Sequence, residues 1–172
     1  MPSARSFGWR AADPPLPRAV RLLGRWVPLV IERRIPYKPR RLMLKVVASA
    51  AEKLEAERKA GLLTRADAQY LRALKWFMYG RGRSGQHRGV FIVGMADAKT
   101  TQDPDYWSAA ILHDGVHAWL QARARRYRDE TAPCNAQIDY MQRTGASTWA
   151  ISAVENFRDS RSRQRSRTAE RY

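Results

Sequence analysis

Apolar residues recur at helical spacing along most of this chain and at strand spacing in one convincing place. Between Leu42 and Ala60, the residues Met43, Val46, Val47, Ala50 and Leu54 form one stripe with charges on the other face. That pattern predicts an amphipathic helix stopped by Gly61. Thr64-Arg-Ala-Asp67 has the form of a capping box and opens a second helix, which Leu71, Leu74, Phe77 and Met78 carry to Gly80. Gly80 to Gly89 reads as a basic loop and Gly89-Val-Phe-Ile-Val-Gly94 as a strand. After a polar loop through Asp103-Pro104, a run whose only breaker is Gly115 predicts a helix from Pro104 to near Tyr127. A turn over 129–133 starts a return helix with Cys134, Ile138 and Met141 on one stripe and Gly145 at its end. Ser147 is placed to cap a last helix whose Trp149, Ala153, Val154 and Phe157 face inward.

The pattern weakens at both ends. Residues 1–41 are rich in Pro and Arg, and Ile35-Pro-Tyr-Lys-Pro39 is expected to be extended because residues before proline avoid the helical region. From Arg158 the chain turns Arg/Ser-rich, as expected of a solvated, disordered or frayed tail. The expected organisation is a basic arm (1–41), one mainly helical α+β domain (42–157) and a C-terminal tail (158–172). No membrane span is expected: the apolar run nearest to one, Trp26-Val-Pro-Leu-Val-Ile31, contains a proline and falls well short of the ~20 residues required.

Charge and cysteine content narrow the function classes. Lys and Arg number 32 against 16 Asp and Glu, a net charge of +16. So positive a field favours anionic partners, nucleic acid through the basic arms among them. Cys134 is the sole cysteine, which excludes an intrachain disulfide and a thiolate zinc cluster and fits a reducing, cytoplasmic setting.

The chemistry is concentrated in His113-Asp-Gly-Val-His117, which holds two of the three histidines in the chain. Positions i and i+4 share a helical face, so both imidazoles can reach one ion, and zinc suits histidine nitrogen. A third protein ligand is required. A helix running to Tyr127 ends roughly 15 Å beyond His117 at ~1.5 Å per residue. Three residues of turn recover only about 10 Å at full extension. Reach therefore favours Asp139 on the return helix, with Glu130 in its place if the helix breaks early, near Gln121. A structural reading competes: the histidines as packing groups beside Trp107, Ile111, Trp119 and Leu120, and Asp139 as the partner of Arg123, Arg125 or Arg126.

A strand, a helix with H-x-x-x-H and a return helix with an acidic ligand together resemble the core of the zincin metallopeptidases, over roughly residues 70–145. Their motif is H-E-x-x-H, with the glutamate as general base on a zinc-bound water. The resemblance implies a zincin-like minimal domain with a small sheet and a peptide or protein substrate held along Val90–Val93 as an edge strand. It implies zinc on His113, His117 and a downstream carboxylate. Asp114 stands where the family has glutamate and is one methylene shorter, which leaves a metal-binding pseudoenzyme as an alternative. Ala109-Ala-Ile-Leu-His-Asp114 also resembles the HD-type phosphohydrolases, and that resemblance implies His87 and Asp139 as further metal ligands.

Overall fold

Short runs of β-branched and aromatic residues build a mixed sheet rather than a single strand. The computed structural model describes residues 19–31, 36–74, 76–80, 84–87, 90–123 and 129–169. Strands β1 (Ala19–Leu22), β2 (Arg25–Ile31), β3 (Trp76–Gly80), β4 (Gly85–His87) and β5 (Val90–Gly94) lie in the order β1-β2-β3-β5-β4. The pairs β2–β3 and β3–β5 are parallel, and β1 and β4 run antiparallel to their neighbours. Around the sheet lie α1 (Tyr37–Lys59), α2 (Arg65–Ala73), α3 (Met95–Thr100), α4 (Pro104–Gln121), α5 (Thr131–Arg143) and α6 (Thr148–Ala169). The protein has a mainly helical α+β fold. Among the described residues, no helix is long and apolar enough to cross a membrane.

Several expectations change. Trp76 to Gly80 is a strand, not the end of α2, because two parallel neighbours supply its backbone hydrogen bonds. The helix stops at Ala73, where Arg25 reaches over from the β1–β2 hairpin and donates to the carbonyls of Leu71 and Leu74 at 3.1 and 2.6 Å. Residues 19–31 of the presumed arm are thus part of the fold. So are Tyr37 to Pro39, which form the first turn of α1, where a proline costs no intrahelical hydrogen bond. Gly85–His87 adds a short strand inside the expected loop, and Val90–Val93 therefore lies between two neighbours, leaving β4 as the edge. At the C-terminus, α6 runs on to Ala169, so the Arg/Ser segment extends a helix rather than leaving it at Arg158.

Local signals elsewhere hold. Gly61, at φ +75°, ends α1 while Leu62 N–H donates to Glu57 O and Gly61 N–H to Arg58 O, a Schellman pair. Thr64 and Asp67 cap α2 reciprocally, at 3.1 Å and 2.7 Å.

The centre of the fold is α4. It is apolar nearly all round, as befits a helix packed by α1, α2, α5 and the sheet at once. Trp107, Ile111 and Leu112 are fully buried with Leu54, Leu71 and Tyr140, and Trp107 meets Phe91 of β5 edge to face at 6.4 Å. That packing fixes the helix that carries His113 and His117.

Candidate metal centre

The helix carrying the histidines ends at Gln121, earlier than its apolar pattern suggests. Arg123 closes it, donating from its backbone to Leu120 O and from Nη1 to Trp119 O at 3.0 Å while lying 3.8 Å over the Trp119 ring. The early break brings Glu130, at the start of α5, back beside the histidines. His113 Nε2 lies 3.2 Å and His117 Nε2 3.1 Å from the same Glu130 oxygen, Oε2. The two imidazole centroids are 4.9 Å apart. Each of the three residues is partly buried.

Asp139, the ligand favoured by reach, does not join them. Its side chain is 65% exposed and pairs with Arg143 at 3.1 Å. The physical reason is the shortened α4: ending at Gln121 rather than near Tyr127, it lets the chain return to the level of the histidines at Glu130, before Asp139. Arg143 is the hub there, bridging Asp139, Asp67 at 2.7 Å and the Leu62 carbonyl at 2.5 Å, and so ties α5 to α2. The arginine expected to hold Asp139 was one on the preceding helix; the partner is one turn further along α5 itself. His87 lies in β4, and its side chain falls outside the described residues.

The donor set fits zinc. Atoms bound tetrahedrally at about 2.0–2.1 Å stand about 3.3 Å from one another, close to the separations between Glu130 and each histidine. All three ligand atoms lie within 4.8 Å of one another. His113 Nδ1 is buried with no hydrogen-bond partner among the described residues, so within them that ring is oriented by Glu130 and His117 rather than by an acceptor behind it.

Electrostatics separate the two acids. Hydrogen bonds from His113 and His117 hold the Glu130 carboxyl well below the usual carboxylate range. Asp114 is only 7% exposed, and burial pushes its carboxyl up to about 6 against the opposing pull of both histidines. It lines the same cavity as the ligands, of about 690 Å³.

The remaining walls of the cavity come from outside the three ligand residues. Ser84 and Asp97 form one side, where Ser84 N–H donates to Asp97 Oδ2 at 2.5 Å and Ser84 Oγ accepts from Gly94 N–H at 2.7 Å. Tyr106 and Ala110 come from α4, and Ala153, Val154 and Phe157 from α6. The inward face expected for α6 is therefore only partly correct. Trp149 is 81% exposed, whereas Ala150, Ile151 and Val154 pack against the core. Gln137 also lines the cavity, and its spacing from Glu130 is a signal the sequence did offer: seven residues return to nearly the same helical face. No family model, curated protein or solved structure matches this chain.

Proposed function

We propose that the protein is a zinc-dependent hydrolase of metallopeptidase type, with His113, His117 and Glu130 as the metal ligands. The convergence of two imidazole nitrogens on one carboxylate oxygen, inside a cavity large enough for a substrate segment, carries this reading. Three protein ligands with cavity space beside them match the pattern of a catalytic rather than a closed structural site. When bound, zinc would lower the pKa of a water and polarise a carbonyl oxygen.

The chain's own residues supply the remaining functions. Asp114 lines the cavity next to both histidines and has no hydrogen-bond partner among the described residues, which leaves its carboxylate to accept a proton from water and return it to a leaving group. The antiparallel edge strand β4, whose Gly85 lines the cavity, offers backbone groups to an extended peptide. These features support the likeness to zincins. They favour it over the HD-type reading, because Asp139 is occupied by Arg143 away from the cavity.

The deciding measurement is zinc content after purification without a histidine tag. One zinc per wild-type chain, lost in His117→Ala, is expected; no zinc in a folded wild type rejects the reading. Peptide hydrolysis abolished by Asp114→Asn with zinc retained assigns the base. Stoichiometric zinc without any hydrolysis in wild type identifies a metal-binding pseudoenzyme instead.

A second reading is favoured by one feature, the exposed Arg161 and Arg163 on the outer half of α6. A salt-dependent nucleic-acid shift that survives His117→Ala and vanishes on removal of residues 158–172 supports it.

A further inference from the structure

Gln137 is 8% exposed, lines the cavity that holds the candidate ligands, and makes no hydrogen bond among the described residues. Unpaired yet not sealed from solvent, its carboxamide opens to the cavity. Convergent polar groups on a cavity wall orient what binds there, and Gln137 is one of them. A carboxamide offers two donors and an acceptor, which is the complement of a peptide group's carbonyl and N–H.

Position sharpens the assignment. Seven residues separate Gln137 from Glu130 on α5, so the two project within about 20° of one another and about 10 Å apart along the axis. An extended peptide advances about 3.3 Å per residue. We propose that Gln137 is a substrate-binding residue of the same site, its carboxamide pairing with a peptide group roughly two to three residues from the bond that faces the metal ligands. This rests on the metallopeptidase reading and adds to it a minimum substrate length. The cavity then recognises backbone at a distance from the reacting bond, so short substrates forfeit binding that longer ones gain.

The test pairs stability with binding in the full, zinc-loaded chain. Gln137→Met keeps the length of the side chain and removes its polar atoms. The expected result is no fall in Tm, because no protein partner is lost. The binding probes are acetohydroxamate and hydroxamates extended by four alanines in either chain direction. In wild type at least one extended probe binds more tightly than acetohydroxamate. Gln137→Met weakens that probe about tenfold, the worth of a carboxamide pair, and leaves acetohydroxamate unchanged. A clear drop in Tm assigns Gln137 a structural role and overturns the proposal. So does an equal effect on all probes, no effect on any, or a wild type that gains nothing from extension. A folded wild type that retains no zinc fails at the earlier step, rejecting the metallopeptidase reading and this proposal with it.

Discussion

Gly115 faces the backbone of Tyr70 so closely that a Cβ built on it would stand 2.8 Å from the Tyr70 carbonyl oxygen and 2.9 Å from its carbon. The glycine inside the His113–His117 segment therefore serves the packing of α2 on α4, on the side of the helix turned away from the histidines. Backbone atoms on a packed helix cannot yield as a flexible side chain can. Gly115→Ala is expected to destabilise the protein by about 1–3 kcal/mol despite the higher helix propensity of alanine. Urea denaturation measures it; an unchanged or raised midpoint would show that α2 shifts freely.

The two carboxylates considered as third ligand can be told apart directly. Glu130→Gln removes the charge that sits 3.1 and 3.2 Å from the histidines. It is expected to weaken zinc by more than the roughly 10–100-fold that outer-sphere partners command. Asp139→Asn removes an exposed acid paired with Arg143 and should leave zinc affinity unchanged, with at most ~1 kcal/mol lost in stability. Competition with a chromogenic chelator separates the pair. Equal loss in both variants would contradict the geometry.

The legible parts of this chain were those governed by local rules. Thr64 with Asp67, Gly61 and Ser147 each act through neighbours within four residues, and each capping or terminating role is present. The histidine pair was equally legible because helical spacing alone puts both rings on one side. Long-range pairing was not. Trp76-Phe-Met-Tyr-Gly80 carries apolar residues that suit a helix end or a strand, and only the partners β2 and β5 decide between them. The end of α4 was hidden for a related reason: nothing among Ala122 and Arg123 breaks a helix. The third ligand depended on that end, so a two-turn error in one boundary moved the expected ligand from Glu130 to Asp139. Gln137 shares a helical face with Glu130, a spacing that points to the site only once Glu130 is placed beside the histidines.

Cys134 is fully buried, and burial, followed by the nearby Glu130 charge, pushes its thiol up to about 11. A nucleophilic role needs an accessible thiolate. In the folded protein at pH 8, iodoacetamide is expected to modify Cys134 at least about 100-fold more slowly than in urea, since reaction then requires opening of the structure. Mass spectrometry of timed samples follows it. Rapid labelling under native conditions would show that the folded protein exposes a reactive thiol.

Tyr140 anchors α5 to the centre of the fold, and its hydroxyl is the place to test that anchor. The oxygen lies 2.5 Å from Glu57 Oε2 on α1 and 2.9 Å from Ser108 Oγ on α4. Glu57 is itself held by Lys53 at 2.5 Å, and Lys53 reaches on to Asp105 at 3.2 Å. Burial, reinforced by donation to Glu57, raises the phenol far above its ordinary range, so Tyr140 remains a donor. Tyr140→Phe keeps the ring in the core and leaves a buried carboxylate oxygen without its donor, at an expected cost of about 1–3 kcal/mol. Glu57→Gln in the same background should recover part of that loss, because the amide carries less unmet charge. The double-mutant cycle, read by urea denaturation, is therefore expected to show coupling of at least about 0.5 kcal/mol. Strictly additive effects would mean that α5 is held by its apolar contacts alone. Because α5 also carries Glu130, zinc affinity measured in Tyr140→Phe reports whether the anchor also sets the distance between that carboxylate and the two histidines.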